Sequence, residues 1–326
     1  MNTHRFESLC YAALLATVAA HAAPAAAQTY PQKQIRMIVS APPGSAPDII
    51  ARMLGEKLGA ALGQAVVVDS KPGAGGIVAM NLLRASPADG YTIALAQAAV
   101  VTVTPLTYKE ATYDAERDFE TVAMVANTPM LFVTGADSPA KTLADAIAMA
   151  RAKPGEVAIG NPTRTSIPHL AAELMGQKSG VKFQQVPFST TPQGIAAAVK
   201  GDIAFYADGV APLIPLVRAG RLRAIAVAAD KVLPGLEGIP LAKDTVPGLS
   251  VYGWFTIHAP KGTPPAVIQR LNTEVNNAVQ QPEVIAKFRE FGTYPMNGSI
   301  EDAQRFLKSE KALFAGVIRE AGMKPE

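Results

Sequence analysis

A few short polar stretches hold the residues whose types and spacing can do chemistry. The first runs Ser40-Ala41-Pro42-Pro43-Gly44-Ser45-Ala46-Pro47-Asp48. Ser45 and Asp48 have the S-x-x-D spacing of a capping box, which predicts a helix start. A strand that turns through Pro-Pro-Gly into a helix presents backbone N–H groups and the positive end of a dipole. That combination holds an anion without a charged side chain. Lys71-Pro72-Gly73-Ala74-Gly75-Gly76 is a second cradle of this kind. Gln97 opens a third loop, residues 161–166 with Asn161, Arg164 and Ser166 form a fourth, and Ser189-Thr190-Thr191 a fifth. The chemistry these share is carboxylate capture, through N–H groups at Ser45, Gly75 and Gly76 on one side and Ser166 and Thr191 on the other. Arg164 either adds a bidentate contact to a second carboxylate or stays a solvated loop arginine. Asp208 either accepts a hydrogen bond from a ligand amine, hydroxyl, protonated acid or water, or builds an Asp-Gly turn. Singly, each loop also reads as an ordinary capped turn; their recurrence argues for a site.

Other chemistries fit poorly. In the glycine loop the third glycine of G-x-G-x-x-G falls on Val78, and no Gly-Lys-Ser/Thr follows. Ser166, His169 and Asp208 can be imagined as a hydrolase triad, but no G-x-S-x-G elbow exists and helix capping explains the first two. His169 and His258, 89 positions apart, match no metal-ligand spacing. The expected ligand-binding set is Pro43, Gly44, Ser45, Gly75, Gly76, Gln97, Asn161, Arg164, Ser166, Thr190, Thr191 and Asp208. No catalytic residue, metal or cofactor is expected.

The elements that must position these loops alternate between strand and helix. Ile35–Val39 is a β-branched strand ahead of the first loop, and Ile50, Leu54, Leu58 and Leu62 recur at helical spacing behind it, with Gly63 as the stop. Gln64–Asp69, Tyr91–Ala96, Val157–Gly160, Phe183–Pro187, Asp202–Tyr206 and Leu222–Ala228 read as further strands. This alternation implies a parallel sheet, with ligands collecting outside the strands' carboxyl ends. Residues 122–133, broken at Asn127-Thr128-Pro129, predict a crossing into a second lobe, and residues 249–259 the return. Ser299 and Asp302 repeat the capping spacing before a long last helix. The expected fold is α/β, two lobes with a cleft between: 28–127 plus 251–326, and 128–250.

Composition sets the class. The chain has 326 residues, 49% hydrophobic and 17% charged, with a formal net charge of +3. That is globular, with no basic cluster for nucleic acid. Residues 1–27 have the weak positive start, short apolar run and Ala25-Ala26-Ala27 of a secretory leader, and contain the single cysteine, Cys10. The mature chain is expected to begin near Gln28 as a soluble periplasmic monomer without thiols.

Taken in order, these residues resemble a known family. Tyr30-Pro31, Ile35–Val39, Pro42-Pro43-Gly44 with Asp48, the glycine loop, Asp89-Gly90-Tyr91-Thr92, Pro168-His169-Leu170, Ala219–Ala224, and Gly253-Trp254-Phe255 with Gly262-Thr263-Pro264 are similar to the Bug receptors. These are the periplasmic substrate-binding components of tripartite tricarboxylate transporters. The resemblance spans Tyr30 to the C-terminus. It implies a type II periplasmic-binding-protein fold, no catalysis, a small carboxylate held between lobes, and membrane transporter subunits as partners. A ligand-sensing receptor that signals to a membrane partner would need the same fold. The chain departs from the family at Ser45, Ala46, Ala98, Ala99, Arg164 and Phe188–Thr191. With hydroxyls missing at the alanines, the expected ligand is a mono- or dicarboxylic acid with an apolar or aromatic body, in preference to citrate.

Overall fold

The computed structural model describes Tyr30–Pro325. The expected leader, 1–27 with Cys10, and the expected start at Gln28 lie outside the described residues. From Lys33 onward the chain forms one compact unit.

Strand β1 (Ile35–Val39) leads through the first polar turn to helix α1 (Ala46–Leu62) and strand β2 (Val66–Ser70). Ile50, Leu54, Leu58 and Leu62, four apart, share one face of α1 and are buried. Gly63, at φ 70°, ends the helix in the left-handed region where glycine is unpenalised. Helix α2 (Ile77–Arg84) and strand β3 (Thr92–Gln97) complete a unit in which β1 pairs in parallel with both β2 and β3. Beyond β3, where the sequence predicts a loop, Ala99–Val103 forms a wide π-type turn that runs on as helix to Thr107. Hydroxyls support it: Thr102 donates to the Ala98 carbonyl at 2.7 Å and Tyr113 to the Val100 carbonyl at 2.5 Å.

The break expected at Pro129 does not occur, because strand β4 (Phe119–Gly135) runs through it for 17 residues. Proline is tolerated there because β4 changes partners at that point. Pro129 lies opposite Tyr252, whereas Met130 lies opposite Gly209 and Ala228. Helix α3 (Leu143–Ala152) follows, started by the reciprocal capping box of Thr142 and Asp145. The βα pattern resumes with β5 (Ala158–Asn161), α4 (Ile167–Ser179), β6 (Gln184–Pro187), α5 (Thr191–Lys200), β7 (Phe205–Gly209), α6 (Val210–Arg218) and β8 (Leu222–Ala228). The return is β9 (Tyr252–Pro260), then α7 (Pro265–Val279), α8 (Pro282–Glu290), the short β10 (Tyr294–Pro295) and α9 (Ile300–Glu320). Ser299 and Asp302 form the expected box at the start of α9.

The strands join in the order β2-β1-β3-β9-β4-β7-β5-β6, with β8 and β10 also on β4. Two parallel half-sheets, β2-β1-β3 and β7-β5-β6, therefore flank antiparallel β9 and β4. One apolar cluster joins residues of both halves, among them Ile38, Phe132, Ile159 and Trp254. Helix α9 touches both: its Phe306 meets Trp254 edge-on, and Gln177 Nε2 of α4 donates to the Val317 carbonyl at 3.1 Å.

Candidate functional site

The carboxyl ends of β1, β3 and β7, the start of β9 and the middle of β4 surround a cleft of about 570 Å³. Its walls are Ser40 and Pro42 after β1, the glycine loop 72–76, Gln97–Val100 after β3, the 163–168 loop, and Asp208-Gly209. Thr128 and Met130 of β4 and Gly253–Phe255 of β9 supply the crossing strands. A second cavity of about 410 Å³ lies elsewhere, between Phe119, Leu307 and Lys311, away from the strand ends. Ligand chemistry belongs to the first, where the polar loops converge.

Of the expected set, Gly75, Gly76, Gln97, Arg164, Ser166 and Asp208 line this cleft, whereas Pro43, Gly44, Ser45, Asn161, Thr190 and Thr191 do not. The first turn explains part of that division. Asp48 turns back to accept from the Gly44 N–H at 2.9 Å, from the Ser70 hydroxyl at 2.6 Å and from Arg52 at 2.9 Å. These bonds, Arg52 foremost, pull its carboxyl down to about 2 against the opposing effect of burial. The Ser45–Asp48 capping box is thus corrected: the Ser45 hydroxyl donates to the Pro42 carbonyl, and the carboxylate reaches Gly44 instead of the cap.

The reading of open N–H donors also changes. Ser45 N–H points to the Pro42 carbonyl at 3.2 Å, Gly76 N–H to Gly73 at 2.9 Å and Ser166 N–H to Thr163 at 3.4 Å. Each tight turn closes its own three-residue bond. Pro47 and Pro168 further remove a donor from the first turns of α1 and α4. The glycine loop matters through shape: Gly76 has φ 93°, and a Cβ there would lie 2.6 Å from the Val100 side chain. Gly75 offers its carbonyl to the Thr104 hydroxyl at 2.9 Å.

In the fourth loop, Ser166 caps α4 by accepting from His169 N–H at 3.3 Å, while His169 Nδ1 accepts from Thr165 N–H at 3.0 Å. His169 is committed to the loop's backbone and Ser166 to the cap, so they do not form a nucleophile–base pair. Thr165 sits at φ 59°, a left-handed position that exposes Arg164 beside the cleft. Asn161 is fully buried behind the loop; its Nδ2 donates to Gln185 at 3.5 Å and its Oδ1 has no partner.

Asp208 is not in a turn. β7 lies three residues later than its expected position and contains Asp208, and Gly209 is extended at φ −62° and ψ 163°. The carboxylate is 8% exposed and accepts from the Tyr206 hydroxyl at 3.2 Å, the Thr191 hydroxyl at 3.1 Å and Gly209 N–H at 2.8 Å. Burial pushes it up to about 6, and these hydrogen bonds only partly offset that. Thr191 thereby reaches the cleft through Asp208. The Tyr206 ring is fixed by α5, since a Cβ on Gly194 would lie 2.2 Å from it. Thr190 is exposed at the cap of α5.

Sequence reasoning missed Ser40, a residue of the cleft lining whose hydroxyl is buried with no partner among the described residues. Its place immediately after β1 was the available signal, because ligands gather just beyond strand ends. It also missed Thr104, Tyr108 and Thr128, which no local motif marks. Trp254 is 1% exposed yet contributes to the cleft wall. Among the described residues no group of three His, Cys, Asp or Glu side chains can hold a metal ion.

Known proteins resemble this chain in sequence and fold. Protein BugT of Bordetella pertussis is 32% identical, over 93% of this chain and 94% of its own. The solved structure of R. palustris Rpa4515 with adipate is 31% identical with a TM-score of 0.78, covering 91% of this chain and 100% of that one. A TctC solute-binding protein from Polaromonas, solved with no ligand, superposes with a TM-score of 0.80 at 25% identity over 90% and 100%. Residues 50–323 match the family described as tripartite tricarboxylate transporter family receptor, and the chain belongs to that family.

Proposed function

We propose that this chain is a periplasmic receptor that closes its lobes on a small carboxylate and delivers it to the membrane subunits of a tripartite transporter. The observation that carries this reading is the 570 Å³ cleft at the strand ends, sized for a small metabolite and lined by glycine backbone, hydroxyls, Gln97 and Arg164. The adipate held by a relative of 31% identity supports an acid with an apolar body. Ala98 and Ala99 line the cleft where hydroxyls would suit a hydroxylated acid. The ligand contacts are Ser40, Gly75, Gly76, Gln97, Arg164, Ser166 and Asp208. The lobes are 28–127 plus 251–326, and 128–250, with the end of α9 reaching across to α4. Residues 1–27 act as the export leader.

The test is a thermal-shift series on the purified mature chain with straight-chain dicarboxylates, their monoacid analogues, aromatic acids and citrate, followed by calorimetry. Aliphatic or aromatic acids should raise the melting temperature, because a ligand that binds only the native state stabilises it. Tight citrate binding with none for the others removes the ligand preference. Time-dependent conversion of any acid removes the receptor reading.

A further inference from the structure

We propose that Glu310 is a positioning residue for the ligand cleft. From the last helix it holds the Trp254 indole, and through it the Gly253–Phe255 segment that forms one cleft wall. This deepens the receptor reading above and rests on it for the ligand arm of the test.

Trp254 Nε1–H donates to Glu310 Oε2 at 2.8 Å, across 56 positions of sequence. Phe306, one turn earlier on the same face of α9, meets the indole edge-on at 5.4 Å and 71°. The indole is thus gripped at its polar end by one residue of α9 and on its ring by another. Its strand neighbours cannot rearrange independently. Gly253 lies against Thr128, Trp254 is in register with Asn127, and Phe255 with Gln97 of the cleft. This is also where β4 leaves one half-sheet for the other, so the segment held by Glu310 is both a cleft wall and a crossing point.

Glu310 is a costly choice for a merely structural role. It is half-buried, burial raises its pKa with Asp230 adding to the effect, and the Trp254 N–H is its one hydrogen-bond partner among the described residues. A leucine would fill the same place without desolvating a carboxylate. The acid gains its use from directing the indole.

The test needs no label, because Trp254 is the chain's single tryptophan and its emission reports this one site. In the unliganded full mature chain, Glu310→Leu should change the emission maximum and the quenching by acrylamide, whereas Glu310→Gln, which keeps an acceptor oxygen, should retain both. With the carboxylate that binds wild type most tightly in the thermal-shift series, Glu310→Leu should bind about tenfold more weakly, about 1.4 kcal/mol. Its melting temperature should be unchanged or higher, an outcome a structural role would not give. In a Trp254→Phe background the same substitution should cost no further affinity. Unchanged emission in Glu310→Leu, or an undiminished loss in the Trp254→Phe background, overturns the proposal. If wild type binds no acid, the receptor reading fails, and the emission comparison still decides whether Glu310 holds the indole.

Discussion

The Tyr206 hydroxyl donates to Asp208 across 3.2 Å from two positions earlier on the same strand, so one face of β7 carries both a buried carboxylate and its donor. Among the described residues no cation contributes to holding Asp208 ionised; its support is three neutral hydrogen bonds. An acid bound beside it would place a second negative charge in a closing cavity and raise its pKa above about 6. The complex then binds protons more tightly than the free protein, so affinity falls as pH rises through about 6. Titration calorimetry across this range should show proton uptake on binding. Asp208→Asn should abolish the uptake and flatten the pH profile. A wild-type profile already flat would remove Asp208 from the ligand's surroundings.

Stability should show two opposed slopes. His258 is fully buried, bonded to the Thr256 hydroxyl at 2.8 Å, and burial lowers its pKa to about 4. Its contribution is present above the unfolded value near 6.5 and is lost as pH falls towards 4. Asp208 is raised from 3.8 to about 6, so its neutral form is favoured on folding and its contribution is lost as pH rises from 4 to 6. Each is worth about 3 kcal/mol at full extent, with opposite signs in overlapping windows. Urea midpoints of wild type should vary little between pH 4 and 6. His258→Leu should leave stability falling with rising pH, and Asp208→Asn should leave it rising.

Gly194→Ala should separate shape from charge. The new methyl would sit 2.2 Å from the Tyr206 ring, which is fully buried and cannot swing away. Overpacking of this kind costs about 1–3 kcal/mol, and the displaced hydroxyl should weaken ligand binding as well. A variant with wild-type melting temperature would show that α5 can shift outward.

Arg164→Ala should discriminate between ligands. If the guanidinium meets a second carboxylate, a dicarboxylate loses about 1.5–3 kcal/mol while its monoacid analogue is nearly unaffected. Equal losses for both would mean that the arginine acts on the loop, whose left-handed Thr165 and Ser166 cap already set its path.

Local patterns were legible where one element suffices. The run Ile35–Val39, the four-residue spacing of α1 and the Ser299–Asp302 box appear in the structure as read. What escaped depends on distant partners. Asp48 could serve as a cap partner until Arg52 and Ser70 compete for it. Asp208-Gly209 has turn chemistry, yet pairing of β7 with β4 extends it as strand. Pro129 signals a break unless the neighbouring strands change at that residue. The Ala-Val-Val-Thr-Val segment after β3 has strand-like composition but coils, the carbonyl of its second residue, Val100, accepting from the Tyr113 hydroxyl. Trp254 and Glu310 meet only because β9 and α9 are packed together, and no sequence spacing announces it.

Strand β4 belongs to both half-sheets, pairing with β9 along its first two-thirds and with β7 and β8 along its last stretch. Two lobes joined this way do not swing on a slack cord; they are joined by a leaf spring. Register slips between Thr121 and Ala123, between Met124 and Ala126, and between Phe132 and Val133 are where it can flex without tearing the ladder. Bending stores a restoring force that grows with angle, so the empty receptor keeps returning to one opening. The backbone amides of β4, central to both half-sheets, should therefore exchange with solvent slowly even in the empty cleft, and more slowly still once a ligand stabilises the native state.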